Sequence, residues 1–322
     1  MILGMSMFIW RTHPFTKILK HPSFRLHPHV FFLRSKSTFQ RPSVHDYLYG
    51  DHPVRNALQA GKRSFECLFA QSSKQLNEYQ TLLNLLKLNI PCRLTGKHEL
   101  NELTNSRPHN GIVLKASPLE PPVISEIDHV AQGHLSPSTK GDVSSSEGTS
   151  KTSPPLYIYC DGISDPQNLG AIIRSSYFLG VHGILLSKKH NSVLSPVVSK
   201  ASAGALELMN IYRIQNPIQF LKDCSLKDWK VFATAPMGSM SNENQTSLLT
   251  MPESLAVKPK IVVFGGEHGL RTNMIRQCEY ILTLPHGDRF VDSLNVSVAA
   301  GIILHSMKDY SLKITSNSQS KL

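Results

Sequence analysis

The chain contains no CxxC pair, and its five cysteines, Cys67, Cys92, Cys160, Cys224 and Cys278, are odd in number and far apart. That argues against a disulfide framework or a structural zinc site and suits a reducing compartment. No stretch approaches the roughly 20 consecutive apolar residues of a membrane-spanning helix. Neither GxGxxG nor GxxxxGK occurs, so an unrelated nucleotide-binding α/β chemistry has no sequence support. Acidic residues are missing before Asp46, while Arg11, Lys17, Lys20, Arg25, Arg34, Lys36 and Arg41 stand among hydroxyl residues. An acid-poor, Arg/Lys-bearing, Ser-containing segment describes an organelle transit peptide. Residues 1–42 are read as one, with the mitochondrial matrix as destination. The opening run MILGMSMFIW precedes those charges and no A-x-A site follows, which disfavours a secretory signal.

What is present is basic charge. Over 322 residues the net charge is +11 and the pI about 9.4, a balance that favours a polyanionic partner, nucleic acid first. With 40% hydrophobic residues the chain can build one or two cores. Residues 43–118 read as a small mixed α/β domain: a short extended start, a helix with Val54, Ala57 and Leu58 on one face and Pro53 in its first turn, the strand FECLFAQ, the amphipathic QLNEYQTLLNLLKLNI, and the strand GIVLKAS. Residues 119–155 include PSTKGDVSSSEGTSKTSPP, too poor in large apolar groups to offset its ordering entropy, and are read as a flexible linker. From 156 to 310 strands and helices alternate. PLYIYCDG, GILLSKK, WKVFATAP, KIVVFGG and YILTLP read as buried strands, LGAIIRSSYFLGV and a stretch near 197–208 as helices, and a helix after Ser293 closes the domain. This pattern implies a mostly parallel sheet covered by helices. Residues 311–322 are read as a tail.

In such sheets ligands bind beyond the carboxyl ends of strands. Three of those ends carry polar clusters: CDGISDPQNLGAIIRSS, VVFGGEHGL, and the segment leading into SLNVSVAAG. Taken singly, each has a plain structural explanation. Asn168 can cap a helix, Arg174 can be a surface cation, and Ser293 can cap the last helix. Glycines around Glu267 permit positive φ or close approach of a ligand.

Together and in this order, the three clusters resemble the SPOUT-class RNA ribose 2′-O-methyltransferases of the SpoU/TrmH branch. NLGAIIRS matches the first motif of that branch, FGGEHGL resembles the second, and SLNVSVAAG matches the third almost throughout. YLYGDHPVRNAL also resembles the opening of the branch's small RNA-binding domain. Within the branch, the chain looks most like the enzymes that methylate guanosine in mitochondrial large-subunit rRNA. One departure is visible: only His268 separates Glu267 from Gly269, one residue fewer than is usual.

The resemblance implies an α/β fold with a trefoil-knotted methyltransferase domain, a homodimer, and S-adenosylmethionine as cofactor without a metal. It implies cofactor loops at Thr234, Ala235 and Pro236, at Gly265 and Gly266, and over 282–294, with Leu284 and Leu294 flanking the adenine. Arg174, Asn168, Glu267, Ser293 and Asn295 match the polar residues of the motifs. Arg174 would act on the 2′-hydroxyl, and Ser293 and Asn295 would hold loops and substrate. Two other readings stand beside this one: a non-catalytic ribosome-assembly factor on the same fold, and a methyltransferase acting on tRNA.

Overall fold

The apolar runs after residue 156 become neighbouring strands because each is buried on both faces. In the computed structural model, residues 45–127, 154–187, 191–236, 245–247, 253–285 and 293–319 are described. The small domain runs β1 (Asp46–Tyr49), α1 (Asp51–Ala60), β2 (Phe65–Ala70), α2 (Ser73–Leu85), β3 (Cys92–Leu94), α3 (Lys97–Leu103) and β4 (Ile112–Ala116). Its sheet has the order β1-β4-β2-β3, with β4 antiparallel to both neighbours. α1 buries Val54, Ala57 and Leu58 as their spacing predicts, and Gly61 closes it in the left-handed conformation at φ 62°. Ser72 caps α2 by accepting from the Gln75 N–H.

The second domain contains β5 (Val123–Ile124), β6 (Leu156–Asp161), α4 (Pro166–Phe178), β7 (Gly183–Ser187), α5 (Pro196–Ala201), α6 (Ala205–Leu208), β8 (Ile211–Ile214), α7 (Pro217–Leu226), β9 (Lys230–Thr234), β10 (Gln245–Ser247), β11 (Lys260–Gly265), α8 (Thr272–Ile275), β12 (Tyr280–Thr283) and α9 (Val296–Gln319). Its eight strands lie in the order β10-β12-β9-β11-β6-β7-β8-β5, and every pairing is parallel. One core layer joins Ile158, Ile172, Ile184, Val262 and Phe264 to Ile303 and Leu304 of α9. The opposite layer holds Tyr159, Leu185, Phe220, Trp229 and Val263.

Three expectations need correction. The linker does not begin at 119, because β5 pairs with β8, Ile124 and Ile127 are buried, and the Lys227 ammonium donates to the Ile127 carbonyl at 2.6 Å. The rest of that segment, 128–153, lies outside the described residues. The stretch 197–208 is two short helices, because Gly204 (φ 79°) brings its backbone onto the small domain. A Cβ there would stand 2.7 Å from the His52 carbonyl oxygen. The tail expected from 311 continues α9 as far as Gln319. The transit segment and the knot-forming path through 286–292 fall outside the described residues, so the threading stays an implication of the resemblance.

The two domains share a buried ionic joint. Arg63, which follows α1, forks onto Glu207 of α6: Nε donates to Oε2 at 2.8 Å and Nη2 to Oε1 at 3.0 Å. Its Nη1 donates to Asp46 Oδ2 at 2.8 Å and to the Ser117 carbonyl at 2.9 Å. The Ser199 hydroxyl completes Glu207 at 2.7 Å, and both charged side chains are 0% exposed. Nearby, the Lys62 ammonium donates to the Leu208 and Met209 carbonyls at the end of α6.

Candidate active site

Because β6, β11, β9 and β12 are adjacent and parallel, their carboxyl ends open on one edge of the sheet. The loop after β6 enters α4 through Asp165, whose carboxylate accepts from the N–H groups of Gln167 and Asn168, with Pro166 in the first turn. Asn168 is therefore not the cap, and its side chain is available for another use. Its Oδ1 accepts from Asn295 Nδ2 at 3.0 Å, across 127 positions of sequence. Asn295 Oδ1 in turn accepts from the Ser297 N–H at 2.9 Å and the Ser297 hydroxyl at 2.6 Å. A single amide thus caps α9 with its oxygen and clasps the first motif with its nitrogen. The capping role open to Ser293 falls to Asn295, and Ser293 is exposed two residues earlier.

The second motif is tied to the first by backbone. The Gly266 N–H donates to the Asp161 carbonyl at 2.9 Å, and a Cβ on Gly266 would stand 2.1 Å from the Gly162 oxygen. The shortened loop closes as a four-residue turn, with the Gly269 N–H donating to the Gly266 carbonyl at 2.9 Å and Gly269 at φ 72°. Glu267 is exposed at the tip of this turn. Gly265 does not have positive φ. It must be small because a Cβ would lie 2.4 Å from the Gly269 carbonyl carbon, so the turn's own closure imposes the glycine.

Arg174 stands about 9 Å along α4 from Asn168. It is exposed and makes no hydrogen bond or ion pair with the described residues. It lines a cavity of about 660 Å³ together with Asn56 of the small domain, Tyr177, Phe178 and Ser202. No described contact joins Arg174 or Glu267 to the Asn168–Asn295 clasp.

Of the residues expected to form the cofactor loops, the Thr234 hydroxyl donates to the Val263 carbonyl at 2.9 Å and the Ala235 N–H to the Leu282 carbonyl at 3.2 Å, so the ends of β9, β11 and β12 are held side by side. Leu284 packs on the main core, while Leu294 is 52% exposed. The residues between them, 286–292, lie outside the described set. Two contributions escaped the sequence reading. Asp161 is buried and takes a bidentate fork from Arg271, at 3.1 and 2.8 Å, which anchors the second loop to the end of β6. Asn191 braces the loop after β6, donating to the Cys160 carbonyl and accepting from the Ile163 N–H, both at 2.9 Å. Asp161 had a visible signal in its place at a strand's carboxyl end, whereas Asn191 had none. Burial pushes the neighbouring Cys160 thiol up to about 12, which removes it as a nucleophile. Among the described residues no group of three or more His, Cys, Asp or Glu side chains could hold a metal.

A parallel sheet with three loops gathered at its carboxyl edge, joined through a buried ion pair to a small α/β domain, is a two-domain α/β architecture with its ligand site expected at the strand ends. Residues 155–305 match the SpoU rRNA Methylase family, and residues 47–122 match the RNA 2′-O ribose methyltransferase substrate binding family. The chain is 47% identical over 270 residues to "rRNA methyltransferase 1, mitochondrial" of Schizosaccharomyces pombe, covering 81% of this chain and 89% of that one. It is 26% identical over 261 residues to a "23S rRNA (guanosine-2′-O-)-methyltransferase" of Photobacterium profundum, covering 80% and 95%. Its fold matches that of an AdoMet-bound rRNA methyltransferase from Sinorhizobium meliloti with a TM-score of 0.61 at 19% identity, covering 83% of this chain and 88% of that one. The chain belongs to the SpoU family of RNA 2′-O-ribose methyltransferases.

Proposed function

We propose that the protein methylates the ribose 2′-hydroxyl of a guanosine in mitochondrial large-subunit rRNA, using S-adenosylmethionine, as a homodimer in the mitochondrial matrix. The observation that carries this reading is the Asn295–Asn168 hydrogen bond, which unites the first and third motifs at the carboxyl edge of the sheet. The guanosine and the mitochondrial rRNA are carried from the named relatives. The acid-free segment before Asp46 supports import. Tyr177 and Phe178 on α4 and Val298 and Ile302 on α9, all exposed apolar groups on two helices packed together, support a dimer face.

The strand ends fit the cofactor. Gly265 and Gly266 leave backbone without a Cβ, β9, β11 and β12 end side by side, and Leu284 offers an apolar wall. When bound there, S-adenosylmethionine supplies an electrophilic methyl group. The chain must orient the 2′-hydroxyl in line and stabilise the charge that develops as its proton leaves. A guanidinium keeps its charge and presents a donor fork, so Arg174 is assigned to the RNA phosphate and to the developing alkoxide, rather than to the part of a base. Asn168 and Asn295 hold the loops, and Ser293 and Glu267 stand at the same edge to contact substrate.

Single-turnover transfer of a labelled methyl group to a mitochondrial large-subunit rRNA transcript tests the reading. Arg174→Ala is expected to keep S-adenosylmethionine affinity and lose roughly 10²–10³-fold in rate. No transfer by the wild-type protein, together with retained RNA binding, would instead favour an assembly factor.

A further inference from the structure

The loop between α3 and β4 is held in an uncommon backbone conformation. Asn105, Ser106 and Asn110 have φ of 51°, 58° and 54°, three non-glycine residues in the left-handed region within six positions. That loop lines a cavity of about 330 Å³ on the small domain with Gln71, Lys97, Asn101, Arg107 and His109. Lys97 and Arg107 are exposed cations, and no acidic side chain lines the cavity.

The polar groups are set in one arrangement. His109 is buried, and its Nδ1 accepts from the Gly111 N–H at 2.9 Å. The proton is therefore on Nε2, which donates to Asn101 Oδ1 at 3.1 Å. Burial, then Lys97 and Lys200, hold His109 below the ordinary histidine range, so the ring stays neutral and the arrangement persists. With its oxygen occupied, Asn101 retains its two amide donors for a ligand. Lys97 and Arg107 supply phosphate-binding charge. The site is also tied to the methyl-transfer domain. Lys200 of α5 lies against Gly50 beside β4, and the next residue, Ala201, touches Gly170 of α4, two positions from Asn168.

Resting on the rRNA-methylating function proposed above, we propose that this pocket takes one unpaired nucleotide of the substrate RNA, its phosphate held by Lys97 and Arg107 and its base edge read by Asn101. Unpaired nucleotides are the parts of an RNA that expose their hydrogen-bonding edges. The pocket then marks a second point of contact, at a distance from the methylated ribose that α5 holds constant.

The test measures binding of the full-length protein to the mitochondrial large-subunit rRNA transcript by fluorescence anisotropy across a salt series. Lys97→Gln/Arg107→Gln should weaken binding about tenfold and reduce the salt slope by about 1.4, two single-strand phosphate contacts. Asn101→Leu should weaken binding about tenfold with the slope unchanged. Both variants should keep wild-type S-adenosylmethionine affinity. The double variant should also keep the wild-type melting temperature, while Asn101→Leu should melt lower because it leaves the His109 Nε2–H without its acceptor. Photocrosslinking of a transcript carrying 4-thiouridine should place a crosslink within residues 97–111. Wild-type RNA affinity and slope in the double variant, or crosslinks confined to other surfaces while the wild-type protein still methylates the transcript, overturn the pocket and leave the methyltransferase reading standing. Failure of the wild-type protein to bind or methylate the transcript overturns both.

Discussion

Glu207→Gln tests whether the two domains are rigidly joined. The native carboxylate receives two donors from Arg63 and one from Ser199, all at 2.7–3.0 Å and out of water. The amide keeps the shape but removes the charge, and its NH₂ must face a donor that has no lone pair to offer. Breaking a buried ion pair from one side costs about 3–5 kcal/mol, because the surviving charge stays desolvated. Here Asp46 still takes Arg63 Nη1, so the lower end, about 3 kcal/mol, is expected. In calorimetry that is a fall of roughly 4–5 °C in a chain of 322 residues, at about 2.1 cal/mol/K of unfolding entropy per residue. Transcript affinity should fall with it while S-adenosylmethionine affinity holds, since none of the joint's partners among the described residues belongs to a cofactor loop. Arg63→Met/Glu207→Met should lose less than the sum of the single variants, because it removes both ends of the Arg63–Glu207 pair and leaves only Asp46 without its Arg63 donor. A Glu207→Gln protein within 0.5 kcal/mol of wild type would refute the reasoning, and the joint would then be ordinary packing.

Lys260 is 2% exposed and, among the described residues, donates to the Ala256 and Lys258 carbonyls, at 2.7 and 2.9 Å. Burial pushes its ammonium down from 10.5 to about 8. Between those values Lys260 binds more protons in the unfolded chain than in the folded one, so its own contribution to stability rises with pH from about 8 to 10.5, by about 3 kcal/mol in all. The buried thiols of Cys160, Cys224 and Cys278, raised by burial, pull stability the other way above about pH 9. Urea denaturation therefore reads the Lys260 part as the difference between wild type and Lys260→Met across that range, and equal pH slopes in the two proteins would refute it. Gly266→Ala puts a methyl 2.1 Å from the Gly162 oxygen, which neither backbone can yield cheaply, so the first and second loops must part. S-adenosylmethionine affinity measured by calorimetric titration should drop at least tenfold, and an unchanged value would place the cofactor elsewhere. Asn295→Ala removes both the α9 cap and the clasp on Asn168. It should cost about 1 kcal/mol in urea unfolding and, separately, slow single-turnover methyl transfer.

What the sequence discloses and what it hides have physical causes. Strands β6, β7, β9, β11 and β12 are readable because a strand buried on both faces must be apolar throughout. β5 and β8 carry no such mark. Val123 is half exposed at the sheet edge, and β8 is only four residues long, buried at Ile211 and Ile214 but part-buried at the two positions between them. The joint between domains is hidden for a stronger reason. Arg63 sits in the polar run GKRS and Glu207 in the apolar run GALELM, 144 positions apart, and nothing local tells a buried charge from a solvated one. The motifs are readable as order and composition, but composition does not assign cause. Gly265 and Gly266 invite a ligand in the sequence, yet each is already required by a backbone contact within or between loops. Asn168 invites a cap, yet Asp165 holds that place and so leaves the amide for Asn295. In each case the residue type follows from the space available, and the space is set by a partner distant in sequence. The glycines hold the second loop against the first, and the paired asparagines hold the first against the third. Together they fix the carboxyl edge of the sheet, where the cofactor is proposed to rest.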